Sequence, residues 1–209
     1  MTHIRVKICG INSPDALDAA IAAGADWLGF VFFPPSPRYV TPGQAAALSA
    51  RASEGPPRVG LFVNPTEEDI AAALSAVPLS ALQVYGPVDV PALRRRFDLP
   101  VWRPVAISTR ADLPQQDLGA DMLLLEAKPP SAATRPGGNA TRFDWTLLRD
   151  WTPTGPWMLA GGLNPANVAE AVRVTGARAV DVSSGVESEA GRKDPDRIRA
   201  FIARTREIC

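Results

Sequence analysis

Residues 4–32 read IRVKICGINSPDALDAAIAAGADWLGFVF, and this one stretch holds a complete structural unit. It opens on a β-rich apolar run at 4–9 and breaks at Gly10. A serine followed by proline, Ser13-Pro14, suits the N-cap and first position of a helix, and Leu17, Ala20 and Ile21 then recur at helical spacing. Gly24 in Gly24-Ala25-Asp26 can take the left-handed conformation that ends a helix, just before a second β-rich run at 27–32. The unit is strand, loop, helix, glycine turn, strand.

Six further apolar runs follow at 58–63, 81–85, 101–107, 121–126, 157–160 and 179–183. Helical spacing returns between them, as in Ile70, Leu74 and Val77, or Ile198, Phe201 and Ile202. The capping pair recurs at Thr41-Pro42, Asn64-Pro65, Asn164-Pro165 and Asp194-Pro195, and the glycine turn at Gly119 and Gly176. Eight βα units of about 26 residues each predict an α/β fold, a single (βα)8 TIM barrel with eight parallel strands and one domain spanning 1–209. The alternative is an open doubly wound sheet, but no G-x-G-x-x-G follows the first strand and eight complete units favour closure.

The 209 residues, 46% of them hydrophobic, can fill one large core. With 22 basic and 22 acidic residues there is no global field to attract nucleic acid or a membrane surface, so an anionic ligand must be held by local groups. The beginning, MTHIRVKICG, lacks a signal-peptide core and no apolar run is long enough to cross a bilayer, which predicts a cytoplasmic protein. Cys9 and Cys209 stand at opposite ends of the chain and read as free thiols. The only histidine, His3, precedes the first strand, leaving no material for histidine triads or histidine-bearing zinc sites, and no metal is expected.

In a barrel, the last residues of each strand converge on one mouth. Gly161-Gly162 after the seventh run and Ser183-Ser184-Gly185 after the eighth are each ordinary turn chemistry. Together, after adjacent strands, they predict a phosphate site of backbone N–H groups and hydroxyls, with a short helix after Ser184 adding its positive end. Cys9 ends the first strand. Alone it reads as a small buried hydrophobe, but Gly10 would open it to the mouth and phosphate-site cations would favour its thiolate, giving a general base with a pKa near neutrality. Glu126 closes a nearly wholly apolar strand, where burial would raise its pKa into the range of a general acid; an ion pair with Lys128 is the plain alternative. Arg38, in Ser36-Pro37-Arg38, is either a bidentate clamp for a substrate carboxylate or a solvated loop arginine. Tyr85 ends the fourth strand. Asp181, between Val180 and Val182, either orients a substrate hydroxyl or pairs inside the barrel. The proline- and glycine-rich stretch at 127–141 is a candidate mobile lid.

These residues lie in segments whose order and spacing resemble the phosphoribosylanthranilate isomerase family over essentially the whole chain: VKICGI (6–11), GFVF (29–32) with SPR (36–38), VGLFVN (59–64), LQVYG (82–86), PGG (136–138) ahead of FDW (143–145), LAGGLNP (159–165) and DVSSGVE (181–187) leading to Lys193-Asp194. The resemblance implies a cofactor-free isomerase of tryptophan biosynthesis that turns the phosphosugar N-(5′-phosphoribosyl)anthranilate into 1-(2-carboxyphenylamino)-1-deoxyribulose 5-phosphate by an Amadori rearrangement, as a monomer rather than a homodimer. It places Cys9 on the family's general base, Arg38 on the arginine holding the anthranilate moiety, the glycine and serine loops on the phosphate site, and Asp181 on a mouth-facing aspartate. Two positions depart from the family. Glu126 stands where it carries an aspartate as general acid, and Tyr85 where it usually carries a histidine, which bears on contacts to the anthranilate ring. Two other readings are a related isomerase acting on an aminoimidazole phosphosugar, which uses two opposed aspartates where this chain has Cys9, and a phospholigand-binding barrel without catalysis.

Overall fold

The computed structural model describes residues 3–116, 118–130, 136–138 and 141–208. Eight parallel strands, β1 (Arg5–Cys9), β2 (Trp27–Val31), β3 (Arg58–Val63), β4 (Ala81–Tyr85), β5 (Val101–Ile107), β6 (Met122–Ala127), β7 (Trp157–Leu159) and β8 (Ala179–Val182), pair in chain order. β8 returns to β1 and closes the barrel. Each apolar run expected to be a strand is one, within a residue or two at its ends.

Alternation along the strands divides the core in two. Outward residues such as Val6, Ile8, Phe30, Phe62 and Leu82 pack with Leu17, Phe201 and Ile202 of the helices. Inward residues Val59, Ala81, Trp102, Met122, Leu124, Met158 and Ala179 plug the barrel at the strands' N-terminal half, with Trp27 set edge-on to Trp102 at 5.4 Å between centroids. The plug leaves the C-terminal end for the site.

Among the described residues the outer layer holds six α-helices: α1 (Pro14–Ala22), α2 (Pro42–Ala50), α3 (Glu67–Ala76), α4 (Val90–Phe97), α5 (Val168–Thr175) and α6 (Pro195–Arg206). The expectation of eight complete βα units therefore fails at two places, where single 3-10 turns follow β5 (Arg110–Asp112) and β6 (Trp145–Leu148). Proline explains the first: Leu113 precedes Pro114 and is extended, so that turn cannot propagate, while the second ends where Arg149 turns extended.

Ser13, Thr41 and Asp194 cap α1, α2 and α6 as expected, each side chain accepting from a backbone N–H of the first turn. Asn64 and Asn164 do not cap helices. Asn64 takes a left-handed φ of 46°, and the two-way capping box of Thr66 with Asp69 starts α3 at Glu67 instead. Asn164 Oδ1 accepts from the Ala166 and Asn167 N–H groups at 2.9 and 3.2 Å, holding a separate turn ahead of α5. A two-stranded hairpin unforeseen in the sequence, β9 (Glu187–Glu189) with β10 (Arg192–Lys193), sits between β8 and α6. Among the described residues no helix is long and apolar enough to cross a membrane. Cys209 lies outside them.

Asp194 Oδ1 accepts from both Asp196 N and Arg197 N, at 2.9 and 3.2 Å. Asp194→Ala should cost about 1 kcal/mol and lower Tm by roughly 3 °C in thermal unfolding; an unchanged Tm would show that α6 is held by its packing alone.

Candidate active site

Beyond the plug four strands carry polar inward residues: Lys7 and Cys9 on β1, Gln83 and Tyr85 on β4, Glu126 on β6 and Asp181 on β8, while Val31, Leu61 and Val63 of β2 and β3 stay apolar. All but Lys7 line one open cavity at the C-terminal mouth, together with Arg38 and loop residues 136–138, 161–163 and 183–184.

Lys7 lies beneath the cavity floor, fully buried, with Nζ donating to Asp181 Oδ1 at 2.8 Å and the Cys9 thiol nearby. Glycine at 29 makes this possible, since a Cβ there would come within 3.0 Å of Cys9 Sγ and 3.3 Å of Lys7 Nζ. Burial alone would lower the Lys7 pKa, but the Asp181 carboxylate and the thiol beside it carry it upward. Asp181 thus takes the pairing role inside the barrel while still facing the mouth.

The thiol departs from expectation. Burial pushes the Cys9 pKa above its usual 9.0, and the Lys7 ammonium only partly offsets this. Gly10 does not open it to solvent either, because the Arg38 methylenes lie over that position, 3.0 Å from where a Cβ would stand, and Cys9 is buried.

Glu126 behaves as its strand suggested. Burial raises its carboxyl to about 8; the Tyr85 hydroxyl, donating to Oε2 at 3.3 Å, and Lys7 pull it down, while Asp181 adds to the rise. Its partner is Tyr85, not Lys128. Gln83 Nε2 donates in turn to the Tyr85 hydroxyl at 3.4 Å, and burial beside Glu126 keeps that phenol protonated far above pH 10. Gln83 Oε1 is buried with no hydrogen-bond partner among the described residues.

Arg38 is not a solvated loop residue. It is buried, and its Nε and Nη2 donate to Glu187 Oε1 and Oε2 at 2.7 and 2.8 Å. The same carboxylate accepts from Lys193 Nζ at 2.7 Å, which also donates to the Ser183 carbonyl and Oγ at 3.0 and 3.1 Å. Burial alone would raise Glu187, but Arg38 and Lys193 hold it down at about 2. Arg38 and the serine loop are therefore parts of one network.

Gly161, Gly162, Ser183 and Ser184 line the cavity; Gly185 does not. Gly185 is instead where the loops after β7 and β8 touch, since any Cβ there would overlap the Leu163 carbonyl oxygen. The expected helix after Ser184 is a three-residue 3-10 turn, Ser184–Val186. Of the stretch 127–141, residues 136–138 reach across the mouth, and 131–135 and 139–140 lie outside the described residues. Among the described residues no three His, Cys, Asp or Glu side chains come together as metal ligands.

The family profile described as N-(5′-phosphoribosyl)anthranilate (PRA) isomerase matches residues 6–204. The chain belongs to this isomerase family. An N-(5′-phosphoribosyl)anthranilate isomerase from Granulibacter bethesdensis is 53% identical over 207 residues, spanning 97% of this chain and 98% of its own. Phosphoribosyl anthranilate isomerase from Thermotoga maritima superposes with a TM-score of 0.83 at 36% identity, over 98% of this chain and 99% of that one. A phosphoribosyl anthranilate isomerase in complex with reduced 1-(o-carboxyphenylamino)-1-deoxyribulose 5-phosphate matches at a TM-score of 0.81 and 36% identity, over the same shares.

The sequence reading missed Lys7, Gln83, Glu187 and Lys193. The signal for the first two was present: each is a polar residue inside an apolar strand, in step with Cys9 or Tyr85 two positions on, as Glu126 is in its own strand. Glu187 and Lys193 sit in a hairpin with no sequence signature, and Glu187 is 149 positions from Arg38.

Glu187 has a folded pKa below its ordinary 4.5, so its stabilisation is fully present above 4.5 and is lost as pH falls from 4.5 toward 2. Glu187→Gln should cost about 3 kcal/mol at pH 7 in urea unfolding, because it strands two buried cations. The gap from wild type should narrow below pH 4; a constant gap would show that the carboxylate charge is not what matters.

Proposed function

We propose that this barrel catalyses the Amadori rearrangement of N-(5′-phosphoribosyl)anthranilate to 1-(2-carboxyphenylamino)-1-deoxyribulose 5-phosphate, with Glu126 as general acid and Cys9 as general base. The observation that carries the reading is one cavity lined by both the buried Glu126 carboxyl and the Cys9 thiol, with the buried Lys7 ammonium beneath it. The proposal takes the enzyme as a monomer that uses no cofactor.

The substrate phosphate sits against the Gly161-Gly162 and Ser183-Ser184 loops, where N–H groups and hydroxyls are available to a dianion. Arg38, oriented by Glu187, faces the anthranilate carboxylate, and the Tyr85 ring lines the wall against the aromatic ring. Gln83 Oε1, a buried acceptor whose lack of a partner is costly, takes a ribose hydroxyl.

Glu126 gives its proton to the furanose ring oxygen. The C1′–O bond breaks as the anilino nitrogen lone pair forms a C=N bond, leaving an open-chain iminium beside the new carboxylate. Cys9 thiolate then removes the C2′ proton, and those electrons form a C1′=C2′ bond and neutralise the nitrogen. The enol so formed loses its C2′ hydroxyl proton and gains one at C1′ to give the ketone. One proton has passed from Glu126 to Cys9. The iminium and Lys7 are the two cations that favour the thiolate at that moment.

Cys9→Ser and Glu126→Gln should each lower kcat by about 10³-fold with the fold intact, and wild-type rates in either would sink the assignment. Phosphate-dependent ligand binding without turnover in the wild type would instead indicate a binding barrel. Glu126 also has a folded pKa above its ordinary 4.5, so it costs stability increasingly as pH rises from 4.5 to about 8. Glu126→Gln should accordingly raise Tm at pH 8 by roughly 5 °C alongside its loss of kcat.

The acid ionises at about 8 and the thiol higher, so the competent form, protonated acid with thiolate, is a minor tautomer of the singly ionised enzyme. kcat/KM should climb about tenfold per pH unit to near 8 before levelling; a maximum near pH 6 would reverse the order of the two ionisations.

A further inference from the structure

The carboxyl of Glu126 is gripped on one oxygen only. Tyr85 donates to Oε2 at 3.3 Å, and Gln83 Nε2 donates to the Tyr85 oxygen at 3.4 Å. Because that oxygen receives the Gln83 N–H, its own proton is directed away from Gln83, toward Glu126. All three side chains are buried, at 1% exposure for Gln83, 9% for Tyr85 and 7% for Glu126, so water does not compete freely for these contacts. Gly137 covers the pair from above: a Cβ at that position would stand 2.6 Å from the Tyr85 oxygen and 3.1 Å from Glu126 Oε2. Only a residue without a side chain lets the 136–138 segment close over the contact without pushing it apart.

We propose that Tyr85 is the positioning residue of the acid: held by Gln83, its hydroxyl pins Oε2 of Glu126 as an acceptor and leaves Oε1 as the oxygen that carries the reacting proton. The inference rests on Glu126 being the acid. It gives Tyr85 a second role besides lining the wall, and it answers the added reach of a glutamate. A glutamate has one more rotatable bond than an aspartate, and a carboxyl anchored at one oxygen regains the orientation that freedom would lose. The same bond acts after proton transfer. Once Oε1 has given its proton, the hydroxyl becomes a charge-assisted donor to the carboxylate, a stronger interaction in the product of the step than in its starting state. The other groups facing Glu126 are Asp181 on β8, which disfavours the carboxylate, and Lys7 on β1, which favours it. Tyr85 is the only one of the three that can both orient and stabilise.

Tyr85→Phe keeps the ring and removes only the hydroxyl. It should lower kcat by about 10- to 100-fold with KM within about twofold, and move the kcat/KM limb near pH 8 upward. Followed in the free enzyme by difference infrared spectroscopy of the protonated carboxyl, the Glu126 midpoint should rise in the same variant, a readout that needs no turnover. In a Glu126→Asp background, whose shorter carboxyl ends a methylene short of the phenol, adding Tyr85→Phe should change kcat by less than about twofold. An unmoved midpoint overturns the inference, as does a raised KM with unchanged kcat, which would leave Tyr85 as a substrate contact only. Equal kcat losses in both backgrounds overturn it too. Failure of the underlying reading looks different: there Glu126→Gln itself turns over at the wild-type rate.

Discussion

The pairing of β1 with β8 closes the barrel, and its register sets Lys7 opposite Asp181. A slip of β1 by one residue would turn Lys7 toward the helices, face Val6 or Ile8 into the barrel and leave Asp181 inside without its partner, because side chains alternate along a strand. Buried charges make that error expensive: an unpaired ammonium or carboxylate in an apolar surround costs several kcal/mol, whereas the pair at 2.8 Å satisfies itself. The ion pair therefore acts as a key for closure. It also fixes the chemistry two residues on, since Cys9 reaches the mouth on the same face of β1 and finds the Lys7 ammonium already in place. Closure, register and the thiol's electrostatic surroundings are one constraint seen at three scales.

Local chemistry explains which parts of the fold could be read in the chain. Strands were legible because a closed parallel barrel buries both strand faces, which makes each an almost continuous apolar run such as MLLL at 122–125. Helix starts were legible where one side chain does the capping, as at Ser13 and Asp194. They were misplaced where two candidates compete within three residues: Asn64-Pro65 resembles a cap as well as Thr66 does, and the reciprocal bond from Asp69 decides between them. The 3-10 turns after β5 and β6 show the opposite limit. A repeat counted eight times suggests eight helices, yet Pro114 stops the first turn and the second ends where Arg149 turns extended.

In the site, the sequence exposed the residues that violate their surroundings and hid those that complete them. Glu126 stood out as a carboxylate in an apolar strand, and by the same rule Lys7 and Gln83 should have. Arg38 could be suspected but not oriented, because its bidentate partner arrives from a hairpin 149 residues away. That partner changes the meaning of the arginine. Tied at Nε and Nη2, it presents one edge of a fixed guanidinium to the cavity, so its orientation is set before any ligand arrives and is linked through Lys193 to the Ser183 loop.

Stability and chemistry pull against each other most clearly at Glu126. The burial that keeps its carboxyl protonated up to about pH 8 also makes the folded state less stable wherever the unfolded chain would be ionised. An aspartate at the same position would end one methylene nearer its strand and draw its carboxyl away from the Tyr85 hydroxyl. A glutamate reaches that hydroxyl, and Gly137 leaves the space in which the two meet. The extra methylene is thus matched by the residue opposite and by the glycine above it. A long carboxyl side chain, a phenol and a bare backbone form a single geometric arrangement, in which changing one member alone would part the contact between Glu126 and Tyr85.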